Sequence, residues 1–69
     1  MDQVINQFPE VPKIEKLLKG IEVAQVLNCS RSFAYLLMQS GNITTVRLGR
    51  SIRVRPRDLV DYIEKNIQL

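Results

Sequence analysis

The sequence predicts a small, mainly α-helical domain carrying one β-hairpin. Three observations carry that expectation. Lys19 to Gly41, KGIEVAQVLNCSRSFAYLLMQSG, reads as two short helices pinched together at Asn28-Cys29-Ser30. Between Ile43 and Arg55 the apolar positions change to alternation, the period of strands with one buried face. Pro56 then opens a further helical pattern, at a first-turn position where a missing amide costs nothing.

Composition narrows the classes open to the chain. At 69 residues it is one domain at most, and such a domain buries roughly 60% of its unfolded surface. A hydrophobic content of 45% suits a folded globule rather than a disordered segment. No apolar run approaches the ~20 residues needed to span a membrane, so no membrane partner is expected. The N-terminus lacks the basic start and apolar core of a signal peptide. With one cysteine an internal disulfide is excluded, and a reducing, cytoplasmic location is expected. The chain has no histidine, no acid–base pair and no metal-ligand cluster, so neither an enzyme nor a cofactor is expected. Cys29 reads most simply as a small buried hydrophobe at the turn.

Pro9 and Pro12 discourage helix, and residues 1–16 are expected to form a flexible or partly ordered tail ahead of a domain at 17–69. Lys13 to Gly20 permits either a turn or two of helix or a short extended lead-in. Helix one is expected from Gly20 to Leu27, with Val23, Ala24 and Leu27 inward. Its start is poorly capped, since Lys19 and Gly20 offer no side-chain oxygen, at a cost of about 1 kcal/mol. Asn28 suits the left-handed turn that follows. Ser30 is a good N-cap for helix two, which runs to about Ser40 and stops at Gly41. Ala34, Leu37 and Met38 face inward on it, while Arg31, Ser32, Tyr35, Leu36 and Gln39 face out. In the hairpin, Ile43 to Leu48 and Ile52 to Arg55 form strands joined by the three-residue link Gly49-Arg50-Ser51. Val46, Leu48, Ile52 and Val54 are expected on its buried face. Arg47, Arg53 and Arg55 fall on the exposed face, with Arg50 at the tip. Helix three closes the core with Leu59, Val60, Ile63 and Ile67, and carries Asp58, Asp61 and Glu64 on its other side.

Charge is segregated along the chain. The net charge is only +3, yet five arginines (47, 50, 53, 55 and 57) lie between Arg47 and Arg57 with no acid among them. A polyanion-binding face needs this, because counterion release depends on local phosphate neutralisation and not on net charge. The plain alternative is a solvated hairpin that uses arginine for solubility. On helix two, Arg31, Ser32 and Gln39 can hydrogen-bond to base edges or phosphates, and the Tyr35 hydroxyl can reach a phosphate. There the plain alternative is an ordinary amphipathic helix with a polar outside.

The run from Leu17 to Glu64 resembles the excisionase-type branch of the MerR-like winged helix-turn-helix family. Its carrying pieces are Glu22-Val23-Ala24, Ser30-Arg31-Ser32, Tyr35, Leu37, Gly41, Val46 to Arg50, Ile52 to Val54, and Pro56 to Leu59. The resemblance implies that helix two enters a major groove and that the hairpin wing reaches the neighbouring backbone or minor groove. It matches Arg31, Ser32 and Tyr35 to recognition-helix contacts, and Arg50 and Arg53 to wing contacts. Leu36 and Gln39 complete the candidate recognition face, and Arg47, Ser51 and Arg55 the candidate wing. Phe33, Leu36 and Gln39 depart from the family, which has small polar or basic residues there. Phe33 and Leu36 therefore either read thymine methyls or meet another protein subunit. The function implied is that of a recombination directionality factor. Such a factor binds and bends double-stranded DNA cooperatively, so that an integrase can excise a mobile element. A small phage or plasmid transcriptional regulator on the same fold is the near alternative, and a protein-interaction module using Phe33 and Leu36 the distant one. The chain ends at Leu69, directly after helix three, so no small-molecule ligand of the MerR-sensor kind is expected.

Overall fold

The computed structural model describes residues 14–69, and the expectation for residues 1–13 lies outside the described residues. In order, the elements are α1 (Gly20–Leu27), α2 (Arg31–Gln39), β1 (Val46–Leu48), β2 (Ser51–Arg53) and α3 (Pro56–Lys65). They form a winged helix-turn-helix: two crossed helices, an antiparallel two-stranded hairpin and a closing helix. None of the helices is long and apolar enough to cross a membrane among the described residues.

Local chemistry sets the helix ends. Lys19 holds the N-cap position of α1, and its ammonium, having no lone pair, makes no side-chain cap. Glu22 compensates from within the first turn. Its carboxylate accepts the Lys19 backbone N–H at 2.8 Å and a Lys16 ammonium at 2.8 Å. Asn28 ends α1 in the left-handed region at φ 56°, and the Cys29 N–H donates to the Ala24 carbonyl at 3.0 Å. At Ser30 the side-chain oxygen accepts the Phe33 N–H at 3.1 Å, capping α2 as expected. Gly41 takes φ 86° beyond the end of α2, and the Ile43 N–H returns to the Leu37 carbonyl at 3.2 Å.

The core lies where α1 and α2 cross. Val23, Ala24, Ala34, Leu37 and Met38 are buried there, closed from the other side by Ile43, Val54 and Leu59. Ala24 and Ala34 let the helices approach closely. Each fully buried valine or isoleucine contributes about 1.5–3 kcal/mol. Leu18 forms an isolated antiparallel bridge to Val54, so the lead-in to α1 is extended and not helical there. Two mutual backbone bonds of 2.8 and 2.9 Å tie it to the end of the hairpin.

Three expectations are corrected. The strands are three residues each, and Ile43 lies outside them, buried behind the C-terminus of α2. Their link is the two-residue Gly49-Arg50, since Leu48 pairs with Ser51. Gly49 at φ 62°, followed by a residue at negative φ, has the pattern of a type II′ turn. Losing one residue from the link shifts the register and turns one strand over relative to the other. Val46 therefore opposes Arg53, and Arg47 opposes Ile52. Arg47 and Arg53 lie on opposite faces, and Leu48 is exposed rather than buried. On α3 only Leu59 is fully buried, with Tyr62 half-buried beside it. Val60, Ile63 and Ile67 point outward, because a core this small covers one row of the helix and Leu59 and Tyr62 occupy it.

Candidate nucleic-acid interface

The α2 helix and the hairpin enclose an open groove of about 580 Å³. Tyr35, Met38 and Gln39 form the helix wall; Thr45, Arg47 and Ile52 come from one hairpin face, Arg50 and Ser51 from the turn, and Arg53 from the far end of β2. Six of the ten candidate residues thus meet in one place: Tyr35, Gln39, Arg47, Arg50, Ser51 and Arg53. Register explains the arrangement. Because Arg47 shares a face with Ile52, its side chain borders the groove, and Arg53, at the end of β2 away from the turn, lines the same groove from the opposite strand face.

The remaining four lie elsewhere. Arg31, Ser32 and Leu36 are exposed on α2 but do not line the groove. Ser32, Leu36 and Gln39 fall on one outer face of that helix, spaced four and three residues apart. Arg55 holds the N-cap position of α3, without a side-chain cap, and lines a second hollow with Ile14, Glu15, Leu17, Pro56 and Arg57. Its guanidinium donates to both oxygens of Asp58, from Nε to Oδ2 at 2.5 Å and from Nη2 to Oδ1 at 3.0 Å.

Electrostatics separate these two groups of arginines. Hydrogen bonding from Arg55 is the main reason that the Asp58 carboxyl lies below its usual range, and the same contact raises Arg55. Glu22 is likewise lowered, first by Lys16 and then by the Lys19 backbone N–H. The groove, by contrast, is lined by three arginines and no acid. Among the described residues, Arg47, Arg50 and Arg53 take part in no ion pair. Arg53 spends one N–H on the Ile52 carbonyl at 3.0 Å, which holds its side chain along the strand.

Two contributors were not foreseen from the sequence. Thr45 lines the groove, and its parity with Arg47 along the chain was the available signal once the register is known. Gly20 is buried, and a Cβ built there would lie 2.6 Å from the Tyr35 ring. The ring therefore rests on the bare backbone of α1, which sets the wall of the groove. No local pattern announces that contact.

The family model for the helix-turn-helix domain matches residues 17–67. The chain belongs to the helix-turn-helix domain family. Two curated relatives of this helix-turn-helix protein, one from each of two strains of Mycobacterium tuberculosis, carry the description "putative DNA-binding protein". Each is 37% identical over 49 residues, covering 71% of this chain and 63% of the relative. The chain thus spans somewhat under two thirds of the length of the curated relatives that it matches. No solved structure matches it.

Proposed function

We propose that the protein binds double-stranded DNA, with α2 set into a major groove and the hairpin against the flanking phosphates. The observation that carries this reading is the acid-free arginine groove lying directly beside an exposed polar helix face. Phosphates supply a repeated anion that Arg47, Arg50 and Arg53 can meet with charge-assisted hydrogen bonds. Ser32, Gln39 and Arg31 offer donors and acceptors to base edges, and Leu36, between Ser32 and Gln39 on the helix surface, faces thymine methyls. Family membership and the description of the mycobacterial relatives support the same reading.

Within that class we place the protein with the excisionase-type directionality factors, acting beside an integrase and self-associating cooperatively on DNA. The resemblance of Ser30-Arg31-Ser32, the Val46 to Arg50 turn and Pro56 to Leu59 supports this assignment. The test is a titration of duplex DNA at several salt concentrations. With about four to six phosphates neutralised, log K falls against log salt with a slope of roughly −4 to −5. Arg50→Ala and Arg53→Ala together lower that slope by about 2 across unrelated sequences. Affinity that is absent or independent of salt refutes the DNA reading. If binding is intact but an integrase excises equally well without the protein, the role is that of a transcriptional regulator.

A further inference from the structure

The third helix carries a surface that neither the core nor the arginine groove uses. Val60 and Ile63 on α3 are 53% and 37% exposed, and Ile67, just past its end, is 59% exposed. With Pro56, these positions are spaced four, three and four residues apart, the repeat of a two-helix seam. Charges beside the seam point to its occupant. Of the charged residues on α3, Asp58 is held by Arg55, and Asp61 by Lys65 at 3.1 Å. Among the described residues, Arg57 and Glu64 make no ion pair. They are opposite in sign, two turns apart, and on the same side of the stripe. A two-fold axis crossing α3 between Val60 and Asp61 exchanges their positions. The midpoint of Val60 and Ile63 lies within one residue of that axis, a rise of about 1.5 Å. A single rotation therefore sets Val60 against Ile63 of a second copy and Arg57 against its Glu64, each twice. In a parallel two-fold pair the Arg57 and Glu64 sides of the two copies would fall on opposite flanks of the seam and would not meet.

We propose that the protein self-associates as an antiparallel, two-fold dimer through the Val60–Ile63 stripe of α3, its ends fastened by Arg57 and Glu64. This inference does not depend on DNA binding. Two helices each about 15 Å long make a small contact, so the dimer forms and dissociates with concentration. Sedimentation velocity and diffusion NMR on the full chain, up to about 1 mM, read it directly. The expected result is a monomer–dimer equilibrium that Ile63→Lys abolishes. Arg57→Glu and Glu64→Arg should each weaken it by about tenfold, with circular dichroism unchanged. The double variant Arg57→Glu/Glu64→Arg should restore it, as should an equimolar mixture of the two single variants. A monomer at every concentration overturns the proposal. So does a dimer indifferent to both charge reversals, which would place the contact elsewhere, Phe33 and Leu36 included.

Discussion

Arg53 and Arg55 stand two residues apart in the same arginine-rich run, yet the fold gives them opposite surroundings. Arg53 borders a groove with no acid in it. Arg55 is clamped by Asp58 at the first turn of α3, where it joins the hairpin to the closing helix. A guanidinium already engaged by a carboxylate has little left to offer another anion, whereas one in an acid-free groove keeps its charge uncompensated. The lesson is that arginine count alone does not define a polyanion site. What matters is which arginines the acids leave alone.

That contrast can be broken at three levels, beginning with the largest effect. Leu59→Ala removes the buried anchor that seats α3 behind the Arg55 corner. It should lower unfolding free energy by about 2–5 kcal/mol in urea titrations, while the folded fraction keeps the wild-type salt slope on DNA. Gly20→Ala acts on the groove side, since its new methyl must displace the Tyr35 ring. We expect a loss of about 1–3 kcal/mol, a shifted Tyr35 ring resonance, and weaker DNA binding. Arg55→Ala should have the smallest effect. Solvent screens a pair of this kind, so unfolding free energy should barely move and the DNA salt slope should not change.

The Arg55–Asp58 pair also predicts a pH signature. Asp58 titrates below its ordinary value of 3.8 in the folded chain, chiefly through the Arg55 hydrogen bonds. Its pairing therefore stabilises the fold fully above that ordinary value and is lost as pH falls through the depressed one. Glu22, lowered by Lys16, acts in the same direction. Wild-type stability should fall on acidification below the ordinary carboxylate range. In Arg55→Ala that decline should shrink, as read from thermal unfolding across an acid series.

The helices were legible because their signals are local. Ser30, Asn28 and Gly41 each act on backbone groups within a few residues, and α1 and α2 end where those residues stand. The inward face of α2 followed from spacing alone. The phase of the hairpin did not. Val46-Arg47-Leu48 and Ile52-Arg53-Val54 both alternate, so each strand by itself admits a buried apolar face. Only the turn length decides whether those faces coincide, and a two-residue turn sets Val46 against Arg53. Likewise, α3 offers two overlapping apolar rows, Leu59 with Tyr62 and Val60 with Ile63. Periodicity could not choose between them.

The sequence by itself determined the helix boundaries, the sharp turn between α1 and α2, and the concentration of arginine ahead of α3. These depend on capping, backbone preference and composition, all of which operate over a few residues. Tertiary structure decided which arginines share the groove, which one is neutralised by Asp58, and which row of α3 is left outward. Those outcomes depend on strand register and on how much surface a small core can cover. Both are settled only when distant segments meet.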